Sequence, residues 1–357
     1  MTIDEARSAF PALERVAYLN AGTNGPLARQ TVDAMTERLR RDLEEGRSSA
    51  AYFESAFEVR KRVRTKLAAI VGTDESKVAL TTSTTNGCNV VVAGLGLGPD
   101  DEIVTTDGEH FGLLGALAVS PARVRIAAVC DLPPEQALNV LLAEVRPRTR
   151  LLALSQICWL SGNRFPVEEL REQTGVPILV DGAQSAGAVP VDATRFDFFA
   201  FSGQKWLCGP DSTGGLVVAE PEALPIAAPS YMSQNGYDGA SFTPTEGAAR
   251  FDPGWAPPTI VAGLDAALDV RPEGGFERAA EMAERCRELL AERVEVITAP
   301  GESTLVSFRP EGVAADVVTS LHGRGVIVRE VPGKGWIRVS CGWWTTDEDL
   351  ERLVAGL

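Results

Sequence analysis

Between residues 77 and 219 the chain repeats one device: a short apolar, β-prone run followed by a stretch of helical periodicity. The runs are KVALTT, DEIVTT, VRIAAV, RLLALS, PILVD, FDFFAFS and GGLVVA. Helical patterns over 85–97, 111–119 and 134–145 separate the first four. This rhythm predicts an α/β fold, with a mostly parallel seven-stranded sheet flanked by helices on both faces.

Two helical patterns come first, over 26–45 and 52–71, with Pro26 at an early helical position and Gly46 as a stop. After Glu220 a Pro/Gly/Ser-rich stretch, 221–258, has little periodicity and reads as a long ordered loop near the site. Helices are expected over 258–268 and 276–294. The chain then ends in TLVSF, a helix over 314–323, VIVRE, WIRVSC and a helix over 346–357. A chain of 357 residues exceeds one minimal core. The expected division is a segment 1–15 associated with the small domain, a large cofactor-binding domain 16–257 and a small α+β domain 258–357.

The net charge of -15 is spread along the chain, and without a basic stripe nucleic acid is excluded as a partner. No apolar run reaches the roughly 18 residues of a membrane span. MTIDEARSAF lacks the pattern of a secretory signal, so a cytoplasmic location is expected. Cys88, Cys130, Cys158, Cys208, Cys286 and Cys341 show neither CxxC pairing nor zinc-ligand spacing. They are expected to be reduced and half-buried, with no metal site.

In α/β sheets ligands bind beyond the carboxyl ends of the strands. Thr84, Thr85 and Asn86 follow KVAL and open a helix, as anion ligands at a helix N-terminus or as a simple Thr N-cap. Asp181 ends the apolar strand PILV, where an ionised carboxylate needs a partner or a function, and Gln184 follows three residues later. Ser202, Gln204 and Lys205 end FDFFAF; a lysine there is either an ion-pair partner or a nucleophile of depressed pKa. Pyridoxal 5'-phosphate (PLP) needs a lysine, an acid for its ring nitrogen and donors for its phosphate. All three occur here at successive strand ends.

The run ILVDGAQSAGAVPVDATRFDFFAFSGQKWLCGPDSTGGL resembles the core of the class V aminotransferase and cysteine desulfurase family, of PLP fold type I. STTNGCN, EHFGLL, RFDPGW and IRVSCGWWTTDEDLERL resemble further motifs of that family, in family order. The resemblance begins at YLNAGTNGPL and covers nearly the whole chain. It implies that Lys205 carries PLP as a Schiff base and then serves as the base at Cα. Asp181 would pair with the ring nitrogen, Gln184 with the ring 3-oxygen, and His110 would stack on the ring. Thr84, Thr85, Asn86, Ser202 and Gln204 would surround the phosphate. Arg338 would take the substrate carboxylate, with Asn20, Trp159 and Arg329 also at the substrate. Trp255, in RFDPGW, would reach the cofactor of a second subunit in a homodimer with shared sites. His322 is expected to be structural.

Three positions depart from the desulfurase branch. VIVREVPGKGW has no cysteine to carry sulfur as a persulfide; Arg329 and Glu330 stand there instead. Trp159 replaces an Asn, and Ser202-Gly203-Gln204-Lys205 replaces Ser-x-His-Lys. The loop with Tyr231, Gln234, Asn235, Tyr237 and Phe242 is read either as setting specificity or as solvated surface. The expected reaction is Cα deprotonation and C–S lyase-type elimination on a cysteine-derived amino acid. Aminotransfer, isopenicillin N epimerase-like racemisation and a PLP-fold protein without catalysis are the alternatives.

Overall fold

The computed structural model describes residues 1–357 apart from 237, 238, 240 and 302. In chain order its strands are β1 (Ala17–Tyr18), β2 (Val78–Thr81), β3 (Glu102–Thr106), β4 (Arg123–Ala127), β5 (Thr149–Ser155), β6 (Ile178–Asp181), β7 (Phe198–Ser202) and β8 (Gly214–Val218). Near the C-terminus follow β9 (Glu295–Val296), β10 (Leu305–Arg309), β11 (Val326–Ile327), β12 (Arg329–Val331) and β13 (Trp336–Ser340).

The expected seven runs form one sheet in the order β2-β8-β7-β6-β5-β3-β4. Only β8 runs antiparallel to its neighbours. The apolar runs are needed because the sheet is covered on both sides. Phe199 and Phe201 face a layer with Val63, Leu67, Leu141 and Leu264; Phe198 and Ala200 face another with Val91, Leu113 and Leu117. β4, at the edge, is the exception and leaves Ile126 exposed.

A second sheet, β12-β13-β10-β9, is antiparallel. Helices Gly275–Ala291, Ala314–Gly323 and Asp347–Ala355 share its core cluster. The N-terminal residues Ala6, Phe10 and Leu13 pack with Trp343 and Trp344. Arg7 also donates to the Trp344 carbonyl at 2.9 Å.

Several expectations need correction. The first long helix is Arg29–Glu45, and Pro26 lies outside it, because Gly25 N donates to the Gln204 carbonyl at 2.8 Å and holds the chain extended. Helices Ile3–Ser8 and Val167–Thr174 were not foreseen; each is short, and its apolar stripe is too brief for periodicity to show. VIVRE is two strands, not one: β11 pairs with β1 while β12 pairs with β13. All six cysteines are fully buried rather than half-buried.

Within 221–258 the described residues include short helical turns at Tyr231–Ser233 and Ala248–Phe251, the second followed by Asp252, which anchors this part of the chain. That carboxylate is 1% exposed and receives Arg60 at 2.6 Å, Arg64 at 2.9 Å and the Leu80 N–H at 2.8 Å. It therefore ties the loop to helix Ala50–Val71 and to β2. Removing one member of a buried pair strands the other's charge, at a cost of about 3–5 kcal/mol. Asp252→Ala should lower the urea unfolding free energy by about that amount.

Candidate active site

The carboxyl ends of β2, β5, β6 and β7 open on one cavity of about 140 Å³. Helix Thr84–Leu95 starts there, and its N-cap is Ser83, whose hydroxyl accepts from Asn86 N at 3.1 Å. Thr84 Oγ1 lies 2.7 Å from Ser202 Oγ, which clamps the helix to the end of β7. Thr85, its side chain exposed, lines the cavity with Gln204. Hydroxyls and first-turn N–H groups at a helix N-terminus suit an anion such as a phosphate.

Asp181 and Lys205 line the same cavity. Asp181 Oδ1 accepts from Ala183 N at 2.9 Å, and burial pushes the carboxyl up against the pull of Lys205. Burial brings Lys205 down to about 8, with Asp181 opposing and Arg338 and Arg329 assisting. The lysine sits in a tight turn packed on Gly25, where a Cβ would lie 2.2 Å from the Lys205 carbonyl oxygen. Only glycine allows that approach.

His110 caps helix Phe111–Ala118 through Nδ1, which accepts from Gly112 N at 3.1 Å. Nδ1 as acceptor assigns the ring proton to Nε2. Burial, followed by Lys205, Arg329 and Arg338, pulls its pKa down to about 4. The imidazole is thus neutral near pH 7. Its ring stands edge-on to Trp159 at 5.1 Å between centroids.

Trp159 joins the cavity to two arginines. Its carbonyl accepts from Arg338 Nη1 at 2.8 Å, and the Arg329 guanidinium lies 5.5 Å from its ring centre. Arg338 is 1% exposed, and burial, then Arg329, lowers it to about 9. Its Nε and Nη2 have no partner among the described residues. Gly22 makes room, since a Cβ there would lie 2.8 Å from Nη2. Arg329 donates to Thr23 Oγ1 at 3.1 Å, and Thr23 donates to Asn20 Oδ1 at 2.9 Å.

The structure thus gathers Thr84, Thr85, His110, Trp159, Asp181, Gln184, Ser202, Gln204 and Lys205 around the cavity. Asn20, Arg329 and Arg338 cluster through Trp159 and Thr23. Gln184 is largely committed to protein: Nε2 donates to the Gly22 carbonyl at 2.9 Å and Oε1 accepts from Trp206 Nε1 at 3.1 Å. One N–H remains for a ligand.

Asn86 is not in the lining, because its side chain turns back to Thr82 N at 3.3 Å. Trp255 is also outside it, 36% exposed and packed on Phe53 and Phe57 at 5.6 Å. Tyr231 and Gln234, from the loop expected near the substrate, line a groove of about 900 Å³ with Arg60 and Arg64. Tyr237 lies outside the described residues. His322 Nε2 lies 2.8 Å from the Val328 carbonyl, a local bond within the C-terminal region.

Ser83, Ser155 and Glu109 escaped the sequence reading. Ser155 ends β5, so the strand-end rule alone would have found it. Glu109 stood beside His110 in EHFGLL.

The donor set fits PLP: a lysine and an acid share a cavity with hydroxyls at a helix N-terminus, and Arg338 keeps two N–H groups unpaired. A family model described as aminotransferase class-V matches residues 17–353. The chain belongs to the class V aminotransferase family. That family is PLP-dependent, and the expected fold type I architecture is the one observed.

Over 99% of the chain and 97% of each relative, this class V protein is 29% identical to an isopenicillin N epimerase of Streptomyces clavuligerus and to a cysteine desulfurase of Enterobacter sp. (strain 638). A mutant of C-DES with glycine covalently linked to its PLP cofactor superposes with a TM-score of 0.91 at 27% identity, over 98% of both chains. The cystine C-S lyase C-DES with its product cysteine persulfide gives 0.90 at 28% identity, over 97% of this chain and 98% of that one.

With only two histidines in the chain, the His110 titration is open to NMR. Its resonance should move with a midpoint of about 4. The unfolded chain takes this proton at the ordinary histidine value of about 6.5, before the folded one does. Stability contributed at His110 should therefore fall as pH drops from that value towards about 4. A midpoint in the ordinary range would contradict the burial described.

Proposed function

We propose that this chain is a PLP-dependent enzyme that carries its cofactor on Lys205 and removes the Cα proton of an α-amino acid, most specifically in a C–S lyase-type elimination from a cysteine-derived substrate. The observation that carries the reading is Lys205 and Asp181 lining one cavity with the helix N-terminus at Thr84. When bound, PLP supplies an electron sink that makes loss of the Cα proton feasible.

The remaining work falls to the chain. With PLP bound, Lys205 would serve as the base at Cα, and a pKa of about 8 suits proton transfer near neutral pH. Asp181 would pair with the ring nitrogen and favour its protonated form. Thr85, Ser202, Gln204 and the first-turn N–H groups would hold the phosphate. Neutral His110 would supply a ring for the cofactor to pack on. Arg338 offers its unpaired Nε and Nη2 to the substrate carboxylate as a bidentate donor.

Elimination is favoured over persulfide transfer because residues 326–336 contain no cysteine. Cys341, the next one along, is 0% exposed and packs in the C-terminal core. Likeness to the cystine C-S lyase C-DES supports the same reading. Arg329, on that segment and against Trp159, is our candidate for contacting a polar group on the substrate side chain.

The proposal includes a division into a large domain, 16–257, and a small one, 258–357, with residues 1–15 on the small domain. It also includes a homodimer, supported by the exposed Leu39 and Leu43 of helix Arg29–Glu45 and by the exposed cluster of Phe53, Phe57 and Trp255. A cytoplasmic location completes it; among the described residues no helix is long and apolar enough to cross a membrane.

Incubated with cysteine, cysteine S-conjugates or their sulfoxides and no amino acceptor, the enzyme should release a 2-oxo acid and ammonia. Conversion of the cofactor to its pyridoxamine form, or inversion at Cα without cleavage, would replace elimination with aminotransfer or epimerisation. Arg329→Ala should change the ranking of S-conjugates, and unchanged selectivity would remove Arg329 from the substrate site.

A further inference from the structure

Glu109 is a buried acid that the proposed reaction leaves unused. It follows β3 by three residues and precedes His110, and it reaches across to the end of β5. Oε1 accepts from Thr106 Oγ1 at 2.6 Å, and Ser155 N lies 3.1 and 3.0 Å from the two carboxyl oxygens. Oε2 lies 2.5 Å from Ser155 Oγ. Ser155 lines the cavity and pairs in register with Asp181.

Glu109 is 5% exposed and makes no ion pair among the described residues. The groups that face it are Asp181 of β6, Cys88 of helix Thr84–Leu95 and the hydroxyls of Thr106 and Ser155. None is a cation. A buried carboxylate beside a like charge and without a counter-ion resists ionisation.

We propose that Glu109 acts as a neutral acid, a positioning residue that donates its proton to Ser155 Oγ and leaves Asp181 the only negative charge at the cavity floor. The donor pattern permits this. Ser155 N–H is a fixed donor directed at the carboxyl, and Thr106 Oγ1, which already accepts from Gly108 N at 3.1 Å, has Glu109 Oε1 to donate to, whereas the Ser155 hydroxyl can rotate from donor to acceptor. Its hydrogen is then available to the cavity. The same contacts hold the His110 segment against β5. Burial, opposed by the bonds from Ser155 and Thr106, raises Glu109 to about 8. In its role toward the cofactor, this inference rests on the PLP reading above.

Two variants at Glu109, an Asp181→Asn control and two readouts test it. Glu109→Gln keeps a donor for Ser155 Oγ and an acceptor for Thr106, and Glu109→Ala removes both. In the apoprotein at neutral pH, infrared spectra should show a protonated-carboxyl stretch that survives Asp181→Asn and is lost in Glu109→Gln. PLP affinity should stay within about threefold for the Gln variant and fall about tenfold or more for the Ala variant. A wild-type spectrum without that stretch, a stretch unchanged in Glu109→Gln, or a Gln variant as impaired as the Ala variant would overturn the proposal. Failure of the wild-type protein to bind PLP would instead overturn the cofactor reading, and the infrared result would still decide the protonation of Glu109.

Discussion

Lys205 and Asp181 share a buried setting that disfavours the charged form of either, and each opposes the neutralisation that burial would impose on the other. Neighbouring parallel strands bring them together, since β6 ends in Asp181 and β7 ends just before the Lys205 turn. An isolated buried ammonium or carboxylate would cost several kcal/mol. The remainder of the site is arranged around that constraint. Gly25 gives backbone room beneath the lysine, and Ser202 clamps the helix N-terminus opposite it.

The second organising feature is an accumulation of positive charge. Arg329 and Arg338 bear on Lys205 and His110, and two nitrogens of Arg338 lack a partner among the described residues. Buried guanidinium groups of this kind are stable only where an anion completes them. A phosphate at the helix N-terminus and a substrate carboxylate at Arg338 would provide two such anions. Trp159 couples these parts: its carbonyl orients Arg338, its ring meets Arg329, and its edge-on contact fixes His110. An Asn at that position could not supply the ring contacts.

Much of this was legible in the sequence because buried parallel strands must be apolar and their polar residues concentrate at the ends. PILVD and FDFFAFS showed both features, so the strand-end positions of Asp181, Ser202 and Lys205 could be read from them. Asn86 falls outside the cavity lining because Ser83, three residues earlier, takes the capping role and leaves the Asn86 side chain to bond back to Thr82. Trp255, expected at the cofactor of a second subunit, lies outside this chain's own cavity and packs on the aromatic residues of helix Ala50–Val71 after Gly254, with φ 104°. Ser155 and Glu109 depend on a contact across strands, which spacing along the chain does not display.

The proposed bond between Lys205 and the cofactor can be read chemically without knowing the substrate. Protein loaded with PLP would be reduced with borohydride, digested, and its peptides mapped by mass spectrometry. A single pyridoxyl-modified peptide containing Lys205 is expected, and no modified peptide from Lys205→Ala. Modification of a different lysine, or none on the wild-type protein, would contradict it.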